Sequence, residues 1–198
     1  MGNQIKSLCK RANRADKEAA CELLNICYPD VFAYLRRLCG SGQDAEDLTQ
    51  QTFLKVWSSL DGFAGRSKFS TWLYRIAYNT YIDWRRTDAG GARNCPDRWW
   101  DECIDANPGP LSNVADRQTA RHLYEAVDRL DEDKRQVVHL HYYQGLSIRQ
   151  TAKVLDVATS TVKYRLREVL RILRTKIAIE ENELDIARTI PVAKGETT

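Results

Sequence analysis

The chain has 198 residues, 43% of them hydrophobic and 29% charged, with a formal net charge of +3. That is enough for one ordinary domain or two small ones, with packed cores under a soluble surface. No window approaches the roughly 18 consecutive apolar residues of a membrane-crossing helix, and the charged start MGNQIKSLCKRANRADKE carries no apolar run of signal-peptide length, so a cytoplasmic protein with no membrane partner is expected.

Residues 1–15 read as an N-terminal extension. From Asp16 to Arg86 apolar residues recur at helical spacing. The first stripe is Leu23, Leu24, Cys27, Val31, Tyr34, Leu35 and Leu38, with Pro29 expected to bend or break its helix. Gly40-Ser41-Gly42 ends it, and Ser41 with Asp44 fits the start of a second helix, which carries Leu48, Phe53, Leu54, Val56 and Trp57. A polar turn, Ala64–Lys68, leads into a third helix. Its stripe Leu73, Ile76, Ala77, Thr80, Trp84 is expected to be buried, and its polar stripe Arg75, Asn79, Asp83, Arg86 to face outward.

The periodicity stops over residues 87–114, where Gly90, Gly91, Pro96, Pro108, Gly109 and Pro110 punctuate a linker containing Trp99-Trp100. It resumes with Leu123, Ala126, Val127 and Leu130. Asp131 is placed as an N-cap, ahead of Glu132 and Asp133, where a helix N-terminus favours negative charge. Val137, Val138 and Leu140 continue the core and Gly145 breaks the chain. A short helix from about Ser147 to Leu155, a tight connection, and a long basic helix from about Ser160 then describe a helix-turn-helix. Residues 177–198 read as a frayed, partly helical tail.

The six cysteines are expected to be reduced thiols. Cys21, Cys27 and Cys39 sit at apolar helical positions, where cysteine acts as a small hydrophobe. Cys95 and Cys103 lack a CxxC spacing and a neighbouring His, and His139 and His141, two apart, point in divergent directions on a helix. We therefore assign no metal, no cofactor and no catalytic residue. A hydrolytic site would need converging nucleophile, base and orienting groups, and none stands out.

A recognition helix offers its first residues to base edges and its flanking cations to phosphates. Ser160, Thr161, Lys163 and Tyr164 stand at those first positions, with Arg165, Arg167 and Arg171 for the groove rim or backbone. Ala152 is small enough for two helices to approach, and Leu155, Val157 and Val162 pack the turn.

At this point a resemblance emerges. GLSIRQTAKVLDVATSTVKYRLREVLRIL resembles region 4 of the extracytoplasmic-function (ECF) sigma factors of the sigma-70 family. DAEDLTQQTFLKVWSSLDGF resembles their region 2 polymerase-binding helix, FAGRSKFSTWLYRIAYNTYIDWRR their promoter-melting segment, and CYPDVFAYLRRL their first helix. Order and spacing match over about 150 residues. The resemblance implies an all-α protein of two small helical domains on a flexible linker: region 2 at 16–86, a linker at 87–114, and region 4 at 115–176. It also implies a non-enzymatic promoter-specificity subunit that binds core RNA polymerase and promoter DNA, reads −10 and −35 elements, aids melting, and has an anti-sigma partner. Asp44, Glu46, Asp47, Gln50 and Phe53 match the polymerase-docking helix. Phe63, Arg66, Ser67 and Lys68 match the loop that cradles a flipped −10 base, and Asn79 the residue near it, with Arg75, Arg85 and Arg86 placed for phosphates. Ser160–Arg171 would read the −35 element. Tyr164, Glu168 and Asp156 depart from the family pattern, so no −35 consensus is carried over. A stand-alone helix-turn-helix regulator is the alternative; no dimerisation heptad supports it, and it leaves the acidic second helix unexplained.

Overall fold

A computed structural model describes residues 2–12, 16–87 and 122–189, side chains of 2, 3, 6 and 176–189 apart. All regular structure among them is helical. α1 is Gly2–Ala12, α2 Lys17–Cys39, α3 Gly42–Ser59 with a 3-10 turn at Leu60–Gly62, and α4 Phe69–Thr87. After the undescribed segment come α5 at 122–128, α6 at Glu132–Val138 running into a π turn at His139–Tyr143, α7 at Ile148–Leu155 and α8 at Thr159–Thr189.

Local chemistry sets most of these boundaries. Asp16 caps α2 by accepting from the Ala19 amide at 3.0 Å, and that bond, followed by Arg11, holds its carboxyl below the usual range. Ser41 caps α3, as its spacing to Asp44 predicts, and Asp131 caps α6. Ser147 and Gln150 form a reciprocal capping box at the start of α7. Caps of this kind are each worth about 1 kcal/mol. Gly40 ends α2 at φ 75°, and Asp156 ends α7 at φ 55° and ψ 44°, a left-handed conformation that Asp tolerates better than most residues. Pro29 does not break its helix: α2 is continuous from Lys17 to Cys39, and the proline lies on its exposed side, where water can serve the freed carbonyl.

α2, α3 and α4 form a bundle around Leu23, Val31, Tyr34, Leu35, Leu48, Val56, Leu73 and Ala77, all buried. The expected stripe of α4 is buried at Leu73, Ala77 and Thr80 and half-buried at Ile76 and Trp84. The N-terminal extension is more than an appendage. α1 packs along α2 and buries Leu8, Cys9 and Ala12, which with half-buried Ile5 recur at i, i+3, i+4, i+7. Cys27 and Cys39 are buried as expected, whereas Cys21 is exposed. Burial pushes the Cys9, Cys27 and Cys39 thiols up to about 11, which keeps them unreactive.

The second unit, α5 to α8, has its own small cluster of Val127, Leu130, Val138 and Val169. Its larger apolar surface is shared. Val137, Leu140, Leu146, Val154 and Leu155 belong to one continuous cluster with the core of the first bundle, and α7 lies against α4. The sequence suggests two modules on a tether; the structure adds that they pack face to face. Apart from Thr87, which closes α4, the expected linker lies outside the described residues, with Trp99, Trp100, Cys95 and Cys103. α8 continues as one helix through Thr189, so the expected partly helical tail is helical over its first part, and residues 190–198 lie outside the described residues.

Candidate nucleic-acid interface

α7, the turn at Asp156–Ala158 and α8 build the helix-turn-helix. Ala152 and Leu155 are buried in α7, and Val162 is fully buried in α8, so the pair is locked by its own packing. Ser160, Lys163, Tyr164 and Arg167 are exposed on the first three turns of α8, Tyr164 at 61%, with Thr161 half-buried. Two of the cations assigned to DNA are otherwise engaged. Arg165 pairs with Asp133 of α6, and Arg171 with Glu168 at 3.0 Å. That bond to Arg171 is also the main reason the Glu168 carboxyl titrates below its usual range.

The second surface is α4 with the loop before it. Arg66 and Lys68 are exposed and Ser67 half-buried, while Gly65 turns the loop at φ 66°. Phe63 faces inward. It is 8% exposed, and its ring lies 5.7 Å from Phe69 and 5.0 Å from Trp72, so it anchors the loop. The polar stripe Arg75, Asn79, Asp83, Arg86 is open to solvent along its length, as its spacing predicts. Tyr74 and Tyr81 are core residues. Burial raises both phenols, Tyr81 to about 12. Arg85 is held from below and beside: it donates to the Tyr81 hydroxyl at 3.0 Å and pairs with Glu132 at 3.0 Å. Arg75 stands 3.9 Å from Asp156.

A third surface runs along α3. Glu46, Asp47 and Gln50 are oriented along its outer side, with Asp44 half-buried. Phe53 is half-buried and stacks on Tyr28 at 5.6 Å. Leu54 at 70% and Trp57 at 45% exposure are the open apolar positions. By sequence alone both count simply as part of the helix's apolar set. A signal for their exposure is nonetheless present: Leu48, Thr49, Thr52 and Val56 already fill the inward face, leaving Asp47, Gln50, Leu54 and Trp57 on an outward seam with alternating spacings of three and four.

The family model for Sigma-70 region 2 matches residues 23–90, and that for Sigma-70, region 4 matches residues 120–173. The ECF RNA polymerase sigma factor SigX of Bacillus subtilis is 31% identical over 165 residues, covering 82% of this chain and 85% of that protein. The chain belongs to the sigma-70 family, in its ECF group. SigW of the same organism, also an ECF sigma factor, is 28% identical over 187 residues, covering 86% of this chain and 97% of its own length. The fold agrees. A co-crystal structure of the sigma factor RpoE in complex with the anti-sigma factor NepR from Bartonella quintana superposes with a TM-score of 0.61 at 21% identity, covering 80% of this chain and 96% of that one. As an RNA polymerase sigma factor, this chain directs transcription initiation, and its helix-turn-helix is the DNA-binding part of region 4. No helix among the described residues is long and apolar enough to cross a membrane.

Proposed function

We propose that residues 16–86 and 115–176 act as regions 2 and 4 of this cytoplasmic sigma factor, with α3 docking on polymerase, α4 and its leading loop capturing the −10 element, and the start of α8 reading the −35 element. The observation that carries this reading is the α3 seam. Acidic residues beside two open apolar side chains suit a basic helical partner: the carboxylates steer, and Leu54 and Trp57 supply the buried anchors. Phe53 then acts from beneath, holding Tyr28.

Promoter opening needs no covalent step, and we assign no catalytic residue, metal or cofactor. It requires contacts available only to an unstacked base, which offset an unstacking cost of a few kcal/mol. Exposed Asn79 presents an amide that both donates and accepts. Arg66, Ser67 and Lys68 form the adjoining loop, with Phe63 positioning it. Arg75, Arg85 and Arg86 serve phosphates. On α8, Ser160, Thr161, Lys163 and Tyr164 face the groove with Arg167 at its rim, while Arg165 and Arg171 are committed to carboxylates in the free chain. An anti-sigma partner is proposed because the RpoE relative of like fold is bound by one.

The purified full chain should co-elute with core polymerase and bind short promoter duplexes weakly by itself. High-affinity gel shifts of a short duplex, with no retention on core polymerase, would overturn the assignment.

A further inference from the structure

α8 keeps one side for its own unit and turns the other to solvent. Val162, Leu166 and Val169 are buried on its inner side, which packs on α6 and α7. Opposite them Ser160, Tyr164, Arg167 and Arg171 recur at i, i+4, i+7, i+11, and all four are exposed. A hydroxyl and two cations are ordinary equipment for a helix that enters a groove. Tyr164 is of another kind. It is a large neutral ring in the second turn of α8, central to the open face, with no hydrogen bond or ring contact to any described residue. It also departs from the family pattern, so what it reads is particular to this chain.

The groove narrows the choice of partner. Guanine presents two acceptors there, cytosine a donor, and adenine one of each. Thymine alone adds an apolar group, its C5 methyl. A ring laid on a polar base edge strips water from donors or acceptors and returns no hydrogen bond, which is costly. Laid on the methyl, both partners lose only apolar hydration, which is favourable. The neighbouring hydroxyls of Ser160 and Thr161 can serve any base and do not oppose that choice.

One turn further on, Glu168 carries the group that would accept from a cytosine amine. Arg171 donates to it at 3.0 Å. The Glu168 side chain is 25% exposed against 69% for Arg171, so the cation of this pair faces outward and the carboxylate is covered. Glu168 also stands in the third turn of α8, behind the N-terminal residues that meet base edges.

We propose that Tyr164 is a base-selecting residue that presses its ring on the C5 methyl of one thymine in the −35 element, while Glu168, drawn onto Arg171, selects no base. This rests on the assignment of α8 to the −35 element and names the chemistry that α8 reads there.

The test uses holoenzyme assembled from the full chain and core polymerase, selecting promoters from a random duplex library. The parent should enrich an upstream element with one T·A pair that Tyr164→Phe still selects and Tyr164→Ser does not. Replacing that thymine by deoxyuridine, which lacks only the methyl, should weaken parent binding about fourfold, the share of one buried methyl group, and leave Tyr164→Ser binding unchanged. Glu168→Ala should enrich the same element as the parent. A T·A preference that survives Tyr164→Ser, or a parent indifferent to deoxyuridine, would overturn the thymine contact. So would a loss with Tyr164→Phe that is uniform across sequences, the mark of a hydroxyl on a phosphate. A cytosine preference that disappears with Glu168→Ala would overturn the part given to Glu168. Each of these results leaves α8 at the −35 element. If the parent enriches a −10 element but no upstream element at all, the −35 assignment itself falls, and the thymine contact with it.

Discussion

The Tyr34 hydroxyl donates to the Oε1 of Gln136 at 3.1 Å, a fully buried bond between residues 102 positions apart. It joins the centre of α2 to α6 and ties the first unit to the second. Burial holds the Tyr34 phenol well above its ordinary value, so it stays a neutral donor. Tyr34→Phe leaves the Gln136 carbonyl without this donor in an apolar site. The expected loss is about 1–3 kcal/mol, read by urea unfolding. Because one partner sits on each unit, the loss should fall mostly on their association, visible as faster amide exchange in both α4 and α7.

Removing the α3 anchors should weaken polymerase binding with little effect on folding, since Leu54 and Trp57 are open to solvent. Leu54→Ala forfeits an apolar side chain worth about 1.5 kcal/mol on burial, or roughly tenfold in affinity. Trp57→Ala should cost more, as buried tryptophan anchors do. Competition binding to core polymerase measures both, and unchanged affinities would move the docking surface elsewhere.

Asn79 is exposed and makes no contribution to the core. Asn79→Ala should therefore slow open-complex formation, followed by permanganate reactivity of unpaired thymines, while polymerase binding stays at the wild-type level. Equal loss of both activities would argue against its place beside the captured base.

On α8 the exposed Lys163 and the paired Arg165 should part company. Lys163→Ala should weaken −35-dependent transcription and lower the salt slope of promoter binding by about 0.9, one phosphate contact's share. Arg165→Ala should leave that slope nearly unchanged, because its guanidinium is held by Asp133 in the free chain. Its effect should be a small stability loss of up to about 1 kcal/mol. A slope change for Arg165 matching that of Lys163 would return it to the phosphate set.

His139 lies fully buried beside Tyr143. Burial, then the charges of Arg37 and Arg135, push its imidazole well below the ordinary value. Above about pH 6.5 the unfolded imidazole is neutral too, and this site's share of stability is fully present. As pH falls below that point the unfolded chain gains a proton that the folded chain refuses. Stability should then decline, with a limiting slope of about 1.4 kcal/mol per pH unit from this site. Urea unfolding of the parent chain and of His139→Gln across a range of about pH 7.5 to 5.5, which brackets the ordinary imidazole value, isolates it: the variant should lack that component of the slope.

Much of the fold is legible in the sequence because it is written in local chemistry. Caps at Asp16, Ser41, Asp131 and Ser147, the stops at Gly40 and Gly145, and the helical stripes of α2 and α4 each depend on neighbours within a few residues. The same holds for the helix-turn-helix and for the exposure of Ser160, Lys163 and Tyr164 at the start of α8. α1 is equally legible in principle, but the charges interleaved with Ile5, Leu8, Cys9 and Ala12 mask its short stripe. Pro29 misleads because a proline's cost depends on which side of the helix faces water, and that is set by the packing of α2.

What the sequence by itself determined is therefore the set of helices, their two groupings, and the family to which their order and spacing belong. Which side of each helix is left open was decided only by packing: Phe63 turned inward, Leu54 and Trp57 turned outward, and Arg165 and Arg171 engaged by carboxylates. The pairing of Arg75 with Asp156 and of Arg85 with Glu132 also belongs to tertiary structure alone. Short-range hydrogen bonding and periodicity act within a turn or two of helix, whereas these cross-unit pairs join side chains tens of residues apart that meet only because two apolar faces closed on one another.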